Sequence, residues 1–461
     1  MPVMTFEEAL AEWLPQQRWF AGKGTPITDL AVAADTTLVG GDPGLRHLIV
    51  DVAQATGTDA YQLFVGLRAD LPDRLGHVRI GPADHGLTAY DGLHDPDLTA
   101  TLLAAIAGQS TIGPLHFTRR PGAQIDTGLE SLVLTAEQSN TSMLFGEEAI
   151  LKVFRRLSPG PNPDLEVPDA LARLGSPHVA APLGWITAQA EGVPTVLAIL
   201  SSYLRAAVDG WSLAATSVRD LYADGNRQAA QAGGDFAGEA ERLGEATAEV
   251  HRDLASAFGV KELPAGAYAE MSAGMLDRLD RAVSAVPELA RCERALRGAF
   301  EEVGTLTDPL EVQRIHGDYH LGQVMRTQTG WVLLDFEGEP AVPLEHRRDR
   351  FPALRDVAGM LRSFSYAAHA ARVQPAGGVS ASQTALAAVA EWERAATRHF
   401  REGYLKAAEG LASVPADAGA FDAALALFLV EKALYELRYE IAQRPDWVAI
   451  PLHGLLELSL Q

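Results

Sequence analysis

Three polar side chains in the segment 314–339 have the types and the spacing that a phosphoryl-transfer reaction requires. The segment reads RIHGDYHLGQVMRTQTGWVLLDFEGE, which places Asp318, then Gln323 five residues later, then Asp335 at the end of an apolar run. Such a reaction uses one carboxylate to orient and deprotonate a hydroxyl group, and it uses an amide oxygen and a second carboxylate to hold Mg²⁺. We therefore predict that Asp318 is a catalytic base and that Gln323 and Asp335 are metal ligands.

The order of these groups resembles that in protein kinases, where His-Arg-Asp is followed by Asn and then by Asp-Phe-Gly. Here His-Gly-Asp (316–318) stands first, Gln323 replaces the Asn, and Asp-Phe-Glu (335–337) ends the pattern. The pattern favours a kinase of small molecules. The alternative is that the two carboxylates only form turns at the ends of strands.

Three neighbouring side chains have open roles. His316 is expected to hold the loop in place through a hydrogen bond to backbone or to Asp335. His320 either does the same or contacts phosphate. Glu337 is either a third Mg²⁺ ligand or a solvated turn residue.

The nucleotide side of such a site needs a lysine on a strand and a glutamate on the helix that follows. The run Ala149–Phe154 predicts a strand that carries Lys152, and Glu166 stands at the start of a helical run, where it would pair with that lysine. The alternatives are a surface lysine at a strand edge and an acidic residue favoured by the helix N-terminus.

A loop over the phosphates and a hinge that reads adenine complete the nucleotide side. The polar segment 137–141 lacks Gly-x-Gly, so its hydroxyl, amide and backbone N–H groups would have to bind the phosphates. The segment 200–203 follows the last strand-like run of this region and predicts the hinge. The residues assigned to these two roles are Ser139, Asn140, Thr141, Ser202 and Tyr203.

Three places on the chain have the residue types that commonly bind a sugar. An aromatic ring beside a carboxylate occurs at 209–211, a segment dense in Arg and Asp spans 347–356, and a helical run near the C-terminus places two tyrosines four residues apart on one face. The alternative for each place is helix packing or a solvated face. The residues assigned to the substrate are Asp209, Trp211, Arg355, Asp356, Tyr435, Tyr439 and Arg444, with His320 and Glu337.

The elements that must position these groups divide the chain into three regions. Residues 1–110 mix strands with helices and predict a separate N-terminal module. Residues 111–203 are rich in strand-like runs and predict a nucleotide-binding small lobe. Residues 204–461 are dominated by helical periodicity, for example over Gly238–Phe258 and Glu288–Val303, and predict a large lobe with the catalytic loop and the acceptor site. This layout is typical of a two-lobed α+β kinase.

Composition excludes several other classes of function. The chain has 461 residues and a net charge of −22, which argues against nucleic acid and anionic membranes as partners. A single cysteine, Cys292, excludes an intrachain disulfide framework and a cysteine-based zinc site. No apolar run is long enough to span a membrane, and the N-terminus lacks the basic region of a secretory signal, so we expect a cytoplasmic protein.

Eight blocks of the sequence resemble the actinobacterial maltokinases, and together they extend over nearly the whole chain. The blocks are WLPQQRWFAGK (13–23), AEQSNTS (136–142), ILKVFRR (150–156), GGDFAGE (233–239), RIHGDYHLGQ (314–323), LDFEGEP (334–340), LRDVAGMLRSF (354–364) and RPDWV (444–448). The resemblance implies an aminoglycoside phosphotransferase-like fold with an extra N-terminal cap on the small lobe. It implies transfer of the ATP γ-phosphoryl group, with Mg²⁺, to the anomeric hydroxyl of maltose.

The same resemblance suggests a place in metabolism and possible partners. The product, α-maltose 1-phosphate, would feed α-glucan or glycogen synthesis, and trehalose synthase is a possible partner. By motif, Asp318 would be the base, Gln323 and Asp335 would hold Mg²⁺, and Lys152 would bind the nucleotide phosphates.

Two departures from the maltokinase pattern concern the acceptor. The run RFPALRD (350–356) stands where these kinases usually read PDSPLRD, and Ser365 occupies a position that is often acidic. Actinobacterial glucosamine kinases share the fold, but their metal loop tends to read Asp-Phe-Asp-Gly-Asn, whereas this chain has Asp-Phe-Glu-Gly-Glu. Maltose is therefore favoured, with glucosamine or an aminoglycoside as the alternative acceptor and a non-catalytic kinase-like binding module as the less favoured alternative.

Overall fold

The computed structural model describes residues 4–134, 139–190, 192–223, 236–264, 266–306, 310–338, 342–373 and 383–458. The chain forms two compact units. The first comprises Met1–Asp169 with Ala180–Arg205, and the second comprises Ala170–Val179 with Ala206–Gln461. The predicted N-terminal module therefore lies in the first unit together with most of the predicted small lobe.

The N-terminal part of the first unit is an antiparallel sheet with helices beside it. Helix α1 (Phe6–Trp13) begins with a reciprocal cap between Thr5 and Glu8. The sheet has the strand order β1-β2-β3-β5-β4. Its strands are β1 (Asp29–Val39), β2 (Gly44–Gln54), β3 (Gly57–Arg68), β4 (Arg79–Pro82) and β5 (Thr88–Asp91). Helix α2 (Pro96–Gly108) follows, with Asp95 as its N-cap.

A second antiparallel sheet follows in the same unit, in the order β6-β7-β11-β12-β10-β9-β8. Its strands are β6 (Thr111–Ile112), β7 (Leu115–Arg119), β8 (Ser131–Val133), β9 (Asn140–Phe145), β10 (Ala149–Phe154), β11 (Pro182–Ala190) and β12 (Val193–Ser202). Helix α3 (Pro163–Leu174) follows β10.

The two sheets of the first unit share one hydrophobic core. Phe64 and Tyr90 from the first sheet belong to the same buried cluster as Phe117, Met143 and Leu151 from the second. A separate cluster around Trp13, Trp19 and Tyr61 fills the other side of the first sheet. Because burial of apolar side chains is the main favourable contribution to folding, we expect the two sheets to fold as one body.

The second unit is mainly helical. Its helices are α4 (Gly210–Ala223), α5 (Phe236–Phe258), α6 (Gly266–Ala285), α7 (Glu293–Val303), α8 (Leu354–Val373), α9 (Gln383–Ala407), α10 (Ala418–Gln443) and α11 (Ala449–Leu458). Its strands are β13 (Val208–Asp209), β14 (Lys261–Leu263), β15 (Leu310–Val312), β16 (Val324–Arg326) and β17 (Trp331–Leu333).

Two glycines allow α5 and α9 to pack with their backbones close together. A Cβ atom on Gly244 would lie 2.0 Å from the Phe400 carbonyl oxygen, and one on Gly403 would lie 2.0 Å from the Glu241 carbonyl oxygen. No larger residue fits at either crossing point without displacing backbone.

The helices predicted from periodicity recur with shifted ends. The predicted helix Gly238–Phe258 begins two residues earlier, at Phe236. The predicted helix Glu288–Val303 is interrupted, because Pro287–Arg291 forms a 3₁₀ turn and α7 begins only after Cys292. Among the described residues, no helix is both long enough and apolar enough to cross a membrane.

Candidate active site

A hairpin in the second unit brings the two predicted metal ligands together. Strands β16 and β17 pair with Val324 opposite Leu333, and the Leu334 N–H donates to the Gln323 carbonyl oxygen at 2.9 Å. In this register the Gln323 side chain reaches Asp335, and its Nε2 donates to Asp335 Oδ2 at 3.2 Å. The contact follows from local hairpin geometry, which is why sequence spacing could anticipate it.

The predicted catalytic loop (residues 316–322) and the segment that follows Asp335 approach each other through glycines. Gly317 and Gly338 both have positive φ, and a Cβ atom on Gly317 would lie 3.3 Å from the Gly338 Cα. Asp335 itself adopts a φ of 60°, a conformation that is uncommon for residues with a side chain. Backbone strain of this kind recurs at functional sites.

Asp356 holds the catalytic loop from the buried side. It is 3% exposed, and its Oδ2 accepts hydrogen bonds from the His316 N–H at 2.7 Å and from His251 Nε2 at 3.1 Å. Its Oδ1 accepts from the Gly317 N–H at 3.0 Å. Burial alone would raise the pKa of the Asp356 carboxyl. The hydrogen bond and the charge of His251, together with the hydrogen bond from the Gly317 N–H, outweigh burial and lower that pKa.

The prediction that Asp356 reads the sugar is therefore wrong. Both carboxylate oxygens already accept protein hydrogen bonds, and the side chain is closed to solvent. Three residues on one face of α8 contact the loop instead. Asp356 binds the loop N–H groups, Gly359 leaves room for the Tyr319 carbonyl oxygen, and Ser363 Oγ accepts from the Leu321 N–H at 3.0 Å.

The predicted base, Asp318, faces two basic side chains. Lys432 Nζ on α10 lies 3.8 Å from Asp318 Oδ1, and His320 Nε2 lies 4.0 Å from Asp318 Oδ2. The Asp318 side chain keeps about a quarter of its surface exposed, so an incoming hydroxyl group can reach it. Lys432 also lies over the Tyr435 ring, 5.1 Å from the centroid.

The two loop histidines have structural partners. His316 Nε2 donates to the Leu334 carbonyl oxygen at 2.8 Å, which confirms the prediction that it holds the loop through a backbone contact. His320 Nδ1 accepts from the Gly322 N–H at 3.0 Å. Burial lowers the pKa of His320, although Asp318 opposes that shift, so the neutral ring is favoured near neutral pH.

The predicted sugar-binding residues on α10 and at its C-cap form one partly exposed stripe. Tyr435 and Tyr439 are 36% and 47% exposed, and Arg444 lies over the Tyr439 ring while pairing with Glu440. Through Lys432 this stripe connects to Asp318. The structure thus places Tyr435 near the predicted base, although direct sugar contact remains a prediction.

A cavity of about 480 Å³ opens beside Gly317 and Gly338. Arg355 lines it and stacks over the Phe351 ring, while Glu431 of α10 pairs with Arg278 of α6 at its wall. Its volume lies in the usual range for small-molecule sites. A larger cavity of about 850 Å³ involves α8, α9 and α11, and none of the predicted site residues lines it.

The remaining predicted acceptor residues are spread more widely. Asp209 Oδ1 accepts from the Ser212 N–H at 2.8 Å, which is the contact of a helix cap for α4, and Trp211 is half-buried in the first turn of that helix. Glu337 lies 3.5 Å from Arg347.

In the first unit, Lys152 on β10 has an acidic partner that the sequence analysis missed. Its Nζ donates to Asp164 Oδ2 at 2.8 Å, and Asp164 lies two residues before the predicted partner Glu166, in the first turn of α3. Asn162 positions this turn, because its Oδ1 accepts from the Asp164 N–H at 2.9 Å.

The predicted phosphate-binding residues lie at the start of β9. Ser139 is exposed, and its Oγ accepts from Asn140 Nδ2 at 3.2 Å. The Thr141 side chain points into the protein, where its Oγ1 accepts from Arg155 Nε at 2.8 Å. Residues 135–138, which include part of the predicted loop, lie outside the described residues.

The predicted hinge residues are also anchored in the first unit. Ser202 pairs with Ala149 at the end of β12, and its N–H donates to the Ala181 carbonyl oxygen at 3.0 Å. The Tyr203 N–H donates to the Glu148 carbonyl oxygen at 2.8 Å.

The donor set around Asp335 suits Mg²⁺. Asp335 supplies a carboxylate, and Gln323, whose Nε2 faces Asp335, leaves its amide oxygen for a ligand. Among the described residues no group of three His, Cys, Asp or Glu side chains forms a metal cage. Mg²⁺ does not require one, since it usually binds one or two carboxylates together with waters and substrate phosphates.

The sequence alone could have revealed some of these contacts but not others. Lys432 was detectable as a residue of the predicted tyrosine face of the C-terminal helix, because it precedes Tyr435 by three residues, but its contact with Asp318 was not. Asp164 was detectable as the second acid of the same helical turn. The link from His251 to Asp356 had no sequence signal, because the two residues lie 105 positions apart.

Comparisons with known proteins show the family and the fold of this chain. Residues 13–95 match the maltokinase N-terminal cap domain. A glucosamine kinase from Streptacidiphilus jiangxiensis is 31% identical over 368 residues, covering 77% of this chain and 80% of the relative. A glucosamine kinase from Mycolicibacterium smegmatis (strain ATCC 700084 / mc(2)155) is 31% identical over 326 residues, covering 69% and 77%.

Solved structures give the same fold. A glucosamine kinase in complex with glucosamine, ADP and inorganic phosphate has a TM-score of 0.71 at 24% identity, with 98% of each chain covered. A second crystal form of a glucosamine kinase has a TM-score of 0.70 at 25% identity, with 99% of each chain covered. The predicted α+β fold with an N-terminal cap is confirmed, and it is the fold of the solved glucosamine kinases.

Proposed function

We propose that the acceptor of this protein is maltose. The premise is that the chain belongs to the family of ATP-dependent sugar kinases that includes the glucosamine kinases, and that it carries the maltokinase-type cap. The reaction would transfer the γ-phosphoryl group of ATP to the anomeric hydroxyl and release α-maltose 1-phosphate and ADP. The sequence blocks shared with maltokinases support this acceptor, and one contact in the second unit supports it independently.

That contact is the approach of Lys432 to Asp318. If the anomeric hydroxyl of glucosamine were the group that reacts, the neighbouring 2-ammonium group would lie close to Lys432 Nζ, which is 3.8 Å from the base. Two unit charges 4 Å apart repel by about 1 kcal/mol in bulk water and by more near a protein surface. A neutral sugar avoids this repulsion and can accept a hydrogen bond from the lysine.

The groups of the second unit can perform the acceptor side of the reaction. Asp318 would accept a hydrogen bond from the anomeric hydroxyl and take its proton as the new oxygen–phosphorus bond forms and the bond to ADP breaks. Mg²⁺ held by Asp335 and Gln323 would neutralise charge on the β- and γ-phosphates. A cavity of about 480 Å³ lies beside Gly317, the residue before Asp318, and its volume suits a small-molecule ligand, although neither Asp318 nor Lys432 lines it.

The first unit would supply the nucleotide side. Lys152 would bind the phosphates, with Asp164 orienting it, and Ser139 and Asn140 would contact them from the start of β9. As the maltokinase resemblance suggests, the product would feed α-glucan synthesis, with trehalose synthase as a possible partner.

An amino sugar is the second candidate acceptor. The names of the two curated relatives favour it, since both are glucosamine kinases. The proposals differ in one measurable respect, the rank order of neutral and cationic acceptors.

The test is ADP release from Mg²⁺-ATP with maltose, glucose, glucosamine, trehalose and kanamycin as separate acceptors. Maltose-dependent turnover with a sugar 1-phosphate in the ³¹P spectrum is expected. Turnover only on an amino sugar would retain the kinase and reject maltose. ATP binding without turnover on any acceptor would favour the binding module.

A lysine variant sharpens the same test. Lys432→Met should raise the ratio of glucosamine to maltose kcat/KM about tenfold, which corresponds to about 1.4 kcal/mol. Lys406→Met is the matched control, because Lys406 is an exposed lysine that pairs with Glu245 on α5. An unchanged acceptor ratio in Lys432→Met would contradict the charge argument.

A further inference from the structure

One buried arginine connects the cap to the strand that begins at the predicted phosphate loop. Arg155 follows β10 directly and is fully buried. Its Nε donates to Thr141 Oγ1 at 2.8 Å, and its Nη2 donates to Asp91 Oδ2 at 2.5 Å. The guanidinium also lies over the Trp19 ring, 4.7 Å from the centroid. Asp91 and Trp19 both belong to the residues that match the cap domain.

The buried charge is hard to explain as a stabilising device alone. Replacing a buried ion pair with apolar groups of similar size is often neutral or stabilising, whereas leaving one partner alone is strongly destabilising. Arg155 Nη1 is in addition buried without a hydrogen-bond partner, and such a group carries a desolvation penalty. The arrangement instead holds Thr141, Asp91 and Trp19 in fixed positions around the Arg155 guanidinium.

The backbone near Arg155 is held by the cap as well. The Gln62 N–H donates to the Arg155 carbonyl oxygen at 2.9 Å, and the Leu157 N–H donates to the Ala60 carbonyl oxygen at 2.8 Å. Gln62 Nε2 donates to the carbonyl oxygens of Phe154 and Leu197. The cap strand β3 therefore fixes the end of β10, which carries Lys152 three residues before Arg155.

These contacts lead to the start of β9. In the pairing of β9 with β10, Thr141 lies opposite Val153 and Asn140 lies opposite Phe154. The side chain of Arg155 thus ties Thr141 to Asp91, and the neighbouring residues Asn140 and Ser139 begin from that anchored point.

We propose that the cap positions the predicted phosphate-binding residues Ser139 and Asn140 through Arg155, which joins Asp91 of the cap to Thr141 of β9. Arg155 is a positioning residue in this scheme, since it contacts Thr141 and no reacting atom. The inference rests on the nucleotide side of the proposed function and does not depend on which sugar is the acceptor.

The experiment measures the Kd of Mg²⁺-ATP by calorimetry and the KM values of ATP and of the sugar that supports turnover. Asp91→Asn changes the cap end of the connection and keeps the shape of the side chain. Thr141→Val removes the hydroxyl that accepts from Arg155, and Thr141→Ser retains one. Arg156→Ala is the matched control. Arg156 also joins the end of β10 to the cap, through Asp59, but its side chain is about half exposed.

Asp91→Asn and Thr141→Val should each raise the Kd and the KM of ATP about tenfold and leave the KM of the sugar unchanged. Thr141→Ser should recover most of the loss, and Arg156→Ala should bind ATP like the unmodified protein. The calorimetric Kd needs no acceptor, so a failure of the maltose proposal would leave this test intact.

Two outcomes would overturn the proposal. One is unchanged ATP affinity in a folded Asp91→Asn protein, which would show that the contact of Asp91 with Arg155 does not affect the start of β9. The other is an equal loss in Arg156→Ala, which would show that cap attachment in general matters rather than Arg155. If Asp91→Asn fails to fold, the contrast between Thr141→Val and Thr141→Ser decides the question in the same way.

Discussion

The catalytic loop and the start of β9 are each held from behind by one buried charged side chain, but the two charges act on different kinds of groups. Asp356 accepts hydrogen bonds from the backbone N–H groups of His316 and Gly317. Arg155 instead donates to the side chains of Thr141 and Asp91. The first arrangement lies within the helical unit, whereas the second depends on Asp91, which belongs to the cap sheet.

This difference indicates how each half of the proposed site can fail. A carboxylate that binds loop backbone fixes the loop atoms themselves, so its loss should disturb catalysis directly. An arginine that binds side chains of both the cap and β9 fixes the position of β9 relative to the cap, so its loss should lower nucleotide affinity. The predictions below separate these two effects, beginning with the largest.

Asp318→Asn should break the catalytic half alone. We expect kcat to fall about 10³-fold or more, because general-base catalysis contributes roughly 10² to 10⁴ and the amide cannot take a proton. The Kd of Mg²⁺-ATP, measured by calorimetry, should change little. A variant with a near-normal turnover rate would rule out Asp318 as the base.

Asp356→Asn should disturb the loop without touching substrate. One of its three hydrogen-bond donors would then face an amide NH₂ group, and a hydrogen bond to a charged group contributes about 1.5 to 3 kcal/mol. We expect a lower melting temperature and a kcat about 10- to 100-fold lower, with the KM of ATP unchanged.

The control for that variant is Asp277→Asn, which alters an exposed acid that pairs with Arg281 on α6 of the same unit. It should behave like the unmodified protein. A normal kcat in Asp356→Asn, despite a lower melting temperature, would mean that Asp356 stabilises the fold but does not position the loop.

The cap should respond to pH through His47. This side chain is buried on β2 beside Gln62, and burial lowers its pKa from 6.5 to about 4, against the opposing hydrogen bond with Gln62. The unfolded chain therefore binds the proton more readily, so the contribution of the neutral ring to stability is complete above pH 6.5 and is lost as the pH falls toward 4. The loss amounts to about 3 kcal/mol.

Melting temperatures between pH 7 and pH 4.5 would measure this dependence. His47→Gln, which cannot be protonated in this range, should flatten it, whereas His116→Gln, at an exposed histidine on β7, should not. Because Gln62 also contacts the Phe154 carbonyl oxygen, the KM of ATP should rise with acid before the KM of the sugar does. An equal pH slope in both variants would remove His47 as the cause.

The parts of the site that lie close together in the chain could be predicted from the sequence. Gln323 and Asp335 meet because they flank one hairpin, and His316 binds the Leu334 carbonyl oxygen at the end of that hairpin. Lys152 was also correctly placed on a strand, β10. The class of enzyme followed from these motifs, and the comparisons confirm a sugar kinase of this fold, while maltose and the individual site roles stay predictions.

The parts that depend on distant contacts could not be predicted. Asp356 was predicted to bind the sugar, and only the packing of α8 against the catalytic loop shows that it is buried and bound to backbone. Lys432 lies 114 positions from Asp318, and Arg155 lies 64 positions from Asp91.

The sequence by itself determined the order of the chemical groups, the hairpin that joins the metal ligands, and the alternation of strands and helices, because local spacing and periodicity depend on neighbours in the chain. The tertiary structure alone decided which charges are buried and what they contact. A buried charge requires specific partners, and those partners came from segments whose proximity only the folded chain creates.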